Sequence, residues 1–385
     1  MKKKLLGFMS LILAVLSIIS CATVFSFAEN TSYPSLGLDC KSAVLMEAKT
    51  GTILYAQNEN EALPPASVTK IMTLLLVMEA IEDKKINYTD MVSASEHACS
   101  MGGSQIYLEP GERMSVEDLL KSVIIASAND AAVTLAEYVA GTEEAFVQMM
   151  NEKAAELGMK NTNFENTNGL DDTTTEHVTS ALDIAIMSRA LIRYPKITEY
   201  SSIWMDTVRN GEFGLTNTNR LIRYYEGATG LKTGSTSKAG FCISATATRD
   251  GMTLIAVIMG SPDRDTRNSA AVSLLNYGFT NFSLYSNQPY SGSIPVVKGK
   301  KQECAVREES FCAVVEKKYF DKITPKIDSA PSLSAPVKLG TQVGTVTYEA
   351  NGKTIGTSRI VTCEEVKTVT FVDIILRLLS RVCFC

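Results

Sequence analysis

Histidine is scarce in this chain, with only His97 and His177 among 385 residues. No HExxH string occurs, so a histidine-rich zinc site is excluded. A Ser-His-Asp triad would have to use one of those two rings. An excess of positive charge is also missing, since 37 Lys and Arg stand against 42 Asp and Glu, a net −5. Without the three N-terminal lysines the balance is 34 against 42, or −8. A chain this acidic has no electrostatic footprint for nucleic acid. No CxxC pair exists, which excludes a zinc ribbon and a thioredoxin motif. The nine cysteines are scattered instead: Cys21, Cys40, Cys99, Cys242, Cys304, Cys312, Cys363, Cys383 and Cys385. They read as free, partly buried thiols, because Cys packs as a small hydrophobe. Export favours pairing, so their state stays open. Apolar residues at 45% and charged residues at 21% exclude disorder, collagen and a polytopic membrane protein. The length allows two or three domains of roughly 100–200 residues each.

The two ends differ from the body. Residues 1–28 read as an export signal: Lys2, Lys3 and Lys4, an apolar run over 5–19, then Ser26-Phe27-Ala28 as a small-x-small cleavage site. A retained anchor is the alternative, though the run is short of the roughly 20 residues of a span. Ile18-Ile19-Ser20-Cys21 also loosely matches a lipoprotein signal. Each reading places the mature protein outside the cytoplasm. Residues 366–382 read as an amphipathic helix. At about 100° per residue, Asp373, Arg377, Ser380 and Arg381 share an arc opposite Phe371, Val372, Ile375, Leu378, Leu379 and Val382. Such a helix docks on its own domain or lies in a membrane interface. Its terminal position favours the interface.

Between the ends, residues 41–58 carry a hairpin signal, turning at Lys49-Thr50-Gly51. Pro64-Pro65 stops the extended part, and Ser67 starts a helix with Ile71, Leu74, Leu75, Met78 and Ile81 at helical spacing. Further helical patterns occupy 116–159, 180–192 and 268–279. Extended patterns cover 241–247 and 252–259. Helices therefore sit between strands drawn from both ends of one segment. A Ser/Asn/Pro/Gly stretch over 285–293 reads as a linker. Beyond it, short Val/Ile runs broken by Gly, Pro and Lys read as a small all-β domain. The expected division is a signal over 1–28, a catalytic domain over 29–285, an all-β domain over 286–365 and a tail helix over 366–385.

Three short motifs carry chemistry. Ser67-Val68-Thr69-Lys70 places a hydroxyl and an amine at i and i+3, on one face of a helix start. Ser127-Ala128-Asn129 lies between two helical runs, where a capping role is the bland alternative. Lys232-Thr233-Gly234 leads into the extended segment. Two of the motifs have decoys. A second S-x-x-K runs from Ser235 to Lys238, and Lys49-Thr50-Gly51 lies in the hairpin turn.

Order and spacing lift the three motifs together. S-x-x-K, then S-x-N about 60 residues on, then K-T-G about 100 further, resembles the signature of penicillin-recognising serine acyl transferases. The wider strings resemble D-alanyl-D-alanine carboxypeptidases of the low-molecular-weight penicillin-binding type. They are Leu63-Pro64-Pro65-Ala66-Ser67-Val68-Thr69-Lys70, Ala126-Ser127-Ala128-Asn129-Asp130, Asn168-Gly169-Leu170-Asp171, Gly230-Leu231-Lys232-Thr233-Gly234 and Gly340-Thr341-Gln342-Val343-Gly344. The resemblance spans about residues 38–365 and extends to the tail.

What the resemblance implies is specific. The fold would be α/β, a penicillin-binding or β-lactamase-like catalytic domain. It has an antiparallel sheet flanked by helices, a helical subdomain carrying Ser127, and a trailing all-β domain. Ser67 would attack the penultimate D-alanine of a peptidoglycan stem peptide and release the terminal D-alanine. Lys70 would be its base, provided that burial and a second cation, Lys232, keep the amine neutral. Ser127 would relay a proton to the leaving amine. Asn129 would hold the substrate amide, while Lys232 and Thr233 would hold the terminal carboxylate. Gly234 belongs to the same strand, and backbone N–H groups of Ser67 and Ser235 would form the oxyanion hole. β-Lactams would inhibit by acylating Ser67. No metal or cofactor is called for, and the partner surfaces are wall peptide and membrane, not nucleic acid.

Two other classes share the motifs. A β-lactamase would need a deacylating glutamate, and Glu165 stands at about the right distance. It lacks the Leu-Asn that would follow in that loop. A non-catalytic β-lactam-sensing or wall-binding protein would keep Ser67, Lys70 and Lys232. Turnover of a D-Ala-D-Ala peptide separates these readings.

Overall fold

The computed structural model describes residues 33–172 and 174–383. The expected export signal and cleavage site, Cys21 and Cys385 lie outside the described residues.

Five strands form one antiparallel sheet: β1 (Ser42–Glu47), β2 (Ile53–Gln57), β3 (Ala228–Thr236), β4 (Gly240–Arg249) and β5 (Met252–Ser261). Their order across the sheet is β2-β1-β5-β4-β3. The two N-terminal strands thus complete a sheet begun by strands some 200 residues later, with Ala43 opposite Ile258 and Ile258 opposite Ile243. Every residue of β1 is buried, and so are Leu254 to Met259 of β5. Neighbouring side chains point to opposite faces, so both faces are covered, and the strands read as apolar runs rather than alternation. β4 and β5 are joined by Asp250-Gly251, both at positive φ (49° and 74°). That two-residue turn matches the twist of the strands.

Helix α1 (Lys70–Glu82) runs through the centre of this domain. Its residues from Lys70 to Met78 are all buried, as suits a helix apolar on every side. It packs against α2 (Asn129–Ala140) and α3 (Ala181–Leu191). Helix α4 (Arg264–Asn281) and α3 both pack on the sheet. α4 is longer than its 268–279 periodicity, because Asp263 caps it by accepting the Thr266 N–H at 2.8 Å.

The second domain starts earlier than its composition suggests. Residues 285–293 are not a linker. Phe282–Ser286 is a strand paired with Cys312–Glu316, and Ser291–Val297 is a strand of a six-stranded sheet. Tyr285 fixes the first of these by packing on Phe311 and Tyr348, which are themselves stacked 4.5 Å apart. Aromatic burial overrides the turn-like composition. The core of this domain is Ile294, Val306, Val343, Val346, Tyr348 and Ile360.

The tail helix is shorter than expected. Residues 366–370 are extended, with Val366 buried and bridged to Val337. The helix α5 spans Phe371–Cys383. Thr370 and Asp373 set its start reciprocally: Asp373 Oδ2 accepts the Thr370 N–H at 2.8 Å, and Thr370 Oγ1 accepts the Asp373 N–H. Phe371, Val372, Leu376 and Leu379 are exposed. No helix among the described residues is long and apolar enough to cross a membrane.

Candidate active site

The nucleophile motif opens α1 through a tighter turn than expected. Ala66–Thr69 is a 3₁₀ turn, and Lys70 is the first residue of the α-helix. In such a turn residues i and i+3 eclipse, so Lys70 stands directly over Ser67. The Lys70 Nζ lies 2.8 Å from the Ser67 Oγ and 2.8 Å from the backbone oxygen of Asn168. Ser67 is half-buried and Lys70 fully buried. Ala66, just before the serine, is held at φ 50°, where an L-residue is strained.

The second motif is also bent by its backbone. A single π-helical turn, Ser122–Ala126, ends at Ser127, which sits in the left-handed region at φ 64°. The wide turn and the left-handed residue swing the Ser127 hydroxyl out of the helix line. It accepts a hydrogen bond from Lys232 Nζ at 2.8 Å. Asn129 starts α2, donates through Nδ2 to the Gly102 oxygen at 2.6 Å, and leaves its buried Oδ1 without a partner among the described residues.

Lys232 and Thr233 lie within β3, at the edge of the sheet, rather than before it. Lys232 is buried, and Thr233 bonds to Thr218 at 2.8 Å. Gly234 has a steric reason. A Cβ there would lie 2.7 Å from the Ser67 nitrogen and 3.0 Å from the Pro65 oxygen. Only glycine lets β3 approach the nucleophile turn this closely. Ser235 follows at the exposed rim of the same cleft.

The electrostatics favour a neutral amine beside the serine. Burial, and then the charge of Lys232, pushes Lys70 well below the usual amine range, with Asp130 pulling the other way. Burial, and then Arg267, pushes Lys232 down to about 7. A neutral Lys70 has a lone pair 2.8 Å from the serine oxygen, within reach for proton transfer. The cleft between these groups holds about 660 Å³ and is lined by Ser67, Ser127, Thr233, Ser235, Arg267 and Trp204, among others.

Several of these residues escape a sequence reading. Asn168 acts through its backbone oxygen, so its side chain gives no signal. Arg267 is one basic residue on a long helix. It is buried against the Cys242 oxygen and the Asn268 amide, and it forms no ion pair among the described residues. Asp130 accepts the N–H groups of Ile106, Leu108 and Ala131 and so holds the cleft-lining loop.

Each decoy does something else. Lys49-Thr50-Gly51 is a turn in which the Glu47 carboxylate accepts the Lys49 and Thr50 N–H groups. Lys238 reaches across to the Asp171 oxygen at 2.6 Å. Glu165 is tied into its own loop, accepting from the N–H groups of Thr175 and Glu176 at 2.9 and 3.1 Å. Cys40, Cys99, Cys242, Cys304, Cys312 and Cys363 are free thiols.

Comparison with known proteins decides the family. The profile described as D-alanyl-D-alanine carboxypeptidase matches residues 28–263, and that of the penicillin-binding protein 5 C-terminal domain matches residues 279–368. The chain belongs to the D-alanyl-D-alanine carboxypeptidase family. Membership makes it a serine-type DD-carboxypeptidase. It is similar to carboxypeptidase DacF of Bacillus subtilis, 39% identical over 97% of both chains. DacC of Escherichia coli is 33% identical, over 90% of this chain and 88% of its own. Penicillin-binding protein 5 of Haemophilus influenzae superposes with a TM-score of 0.77 at 32% identity, over 87% of this chain and 99% of its own. Penicillin-binding protein D2 of Listeria monocytogenes, solved in an ampicillin-bound form, covers 64% of this chain and all of its own, with a TM-score of 0.59 at 31% identity. Both domains of the fold read from the sequence are present, catalytic and all-β.

Proposed function

We propose that this carboxypeptidase removes the terminal D-alanine of a peptidoglycan stem peptide through an acyl-enzyme on Ser67. The contact between Ser67 Oγ and a buried, charge-destabilised Lys70 carries this reading. Lys70 takes the serine proton as the hydroxyl attacks, and the acyl bond forms as the peptide C–N bond breaks. The leaving amine collects its proton by way of Ser127, which is bonded to Lys232. Lys232, Thr233 and the unpaired Arg267 receive the terminal carboxylate, and the orphaned Asn129 Oδ1 takes a substrate N–H. Water then releases the acyl group, and β-lactams stop at the acyl stage. Ser67→Ala should abolish D-alanine release from a pentapeptide in the purified protein. Undiminished release would overturn the assignment.

The same proposal places the enzyme outside the cytoplasm, on the outer face of the membrane. The tripartite pattern of residues 1–28 supports export. The exposed apolar residues of α5 support attachment in the interface, not across the bilayer. Fractionation of cells carrying the chain without residues 371–385 tests this. Release into the soluble fraction supports attachment by α5, whereas retention on the membrane points to lipidated Cys21.

A further inference from the structure

His177 is one of two histidines in the chain, and none of the three motifs contains it. Its ring is 5% exposed and packs on Phe164, with centroids 5.8 Å apart. Its Nδ1 is 2.9 Å from the Glu165 nitrogen, which can only donate. Nδ1 therefore presents its lone pair, and the proton of the neutral ring sits on Nε2. Nε2 lies 2.8 Å from Thr69 Oγ1. That hydroxyl lies 2.8 Å from the Ala66 oxygen, which can only accept. The direction of the chain is thus unique: Glu165 N–H to Nδ1, Nε2–H to Thr69, Thr69 O–H to Ala66. Burial, which pushes His177 down to about 4, agrees with a neutral ring.

This chain joins the two segments that grip Lys70. Thr69 and Ala66 belong to the turn bearing Ser67. Glu165 begins the loop whose Asn168 oxygen holds Lys70 from the other side. The segments touch at the same point, since a Cβ on Gly169 would fall 1.9 Å from the Ala66 oxygen. We propose that His177 is a positioning residue for acylation: through Thr69 it locks the nucleophile turn to the loop of Asn168 and sets the Ser67–Lys70–Asn168 geometry. The proposal rests on Ser67 being the nucleophile.

Thr69→Val keeps the shape but removes both hydroxyl bonds, whereas Thr69→Ser keeps them. The experiment measures penicillin acylation rate per labelled site in the full chain, with kcat and KM for D-alanine release and the thermal midpoint. Thr69→Val should acylate about 10- to 100-fold more slowly per labelled site, the scale of a small misplacement of reacting groups. Its kcat should fall with little change in KM, and His177→Gln should move the same way. Thr69→Ser should stay within about threefold of the parent, because it retains the relay. If His177→Gln does not fold, the two Thr69 variants carry the test. A Thr69→Val enzyme that acylates at the parent rate per site, even with a lower midpoint, would refute the proposal. So would equal slowing in Thr69→Val and Thr69→Ser. Labelling that persists in Ser67→Ala would instead overturn the assignment of Ser67.

Discussion

Two buried lysines serve the two serines of the cleft, Lys70 on Ser67 and Lys232 on Ser127. Burial, and then the charge of Lys232, holds Lys70 well below the usual amine range, while burial and then Arg267 push Lys232 down. In the proposed mechanism Lys70 must lose its charge to act as base, and Lys232, pushed down to about 7, must keep its charge to hold the carboxylate. The kcat/KM for D-alanine release should therefore be bell-shaped in pH. In Lys232→Arg the cation does not titrate, so the falling limb should vanish even if the rate drops. A falling limb at unchanged pH in that variant would show that another group is responsible. Gly234→Ala tests the close approach of β3. Its Cβ at 2.7 Å from the Ser67 nitrogen should cut acylation severely and also lower the melting temperature, because the clash is with backbone. His177 also predicts a stability profile. Its folded pKa of about 4 lies below the ordinary 6.5, so its stabilisation is full above pH 6.5 and is lost as pH falls through 4. The lost increment is about 3 kcal/mol by linkage, and His177→Gln should flatten that part of a thermal-midpoint-against-pH curve. The placement of Ser67, Lys70, Ser127, Asn129 and Lys232 around one cleft is legible in the sequence, because their side chains recur in motifs of fixed spacing. Asn168 is not, because it works through a carbonyl that every residue has. Arg267 is not, because nothing in its spacing marks it.

At the level of elements, the active site is built from short strained turns between regular pieces. The 3₁₀ turn of Ser67 and the π turn before Ser127 each depart from the regular α-helix, and each adjoins a non-glycine residue at positive φ, Ala66 or Ser127. Sequence periodicity locates α1 and α3 well because their apolar spacing is sustained. It cannot tell a 3₁₀ entry from an α-helical one, since both put i and i+3 together. It misjudged 285–293 because Ser, Asn, Pro and Gly dominate there, although Tyr285 is packed against aromatic rings. It overextended the tail helix because Val366 belongs to the core of the β domain and only looks like the start of an apolar stripe. The Asn168 loop gives a prediction at this scale. Gly169→Ala would place a Cβ on the Ala66 oxygen and force φ 84° on an alanine. A loss of about 3 kcal/mol or more is expected, together with loss of penicillin labelling, read by denaturant unfolding and by active-site titration. A fully stable, fully labelled variant would contradict the packing described here.

The whole molecule joins a catalytic domain closed by strands from both its ends to a β domain ending in an amphipathic helix. The long separation between β1 and β5 was legible because each is an apolar run bounded by turns. Their pairing order was not, because any of several registers buries such runs equally well. Deleting residues 371–385 leaves every catalytic contact intact, so the shortened enzyme should keep its kcat while leaving the membrane fraction. A matching loss of kcat would mean that α5 supports the catalytic domain directly. On the proposed mechanism Ser67, and no other residue, forms the acyl-enzyme. Mass spectrometry of the purified protein after penicillin treatment, followed by peptide mapping, addresses it most directly. The purified protein should gain one penicillin per chain, located on the peptide containing Ser67 and absent in Ser67→Ala. A label on the peptide containing Ser235, or one that survives in Ser67→Ala, would contradict it.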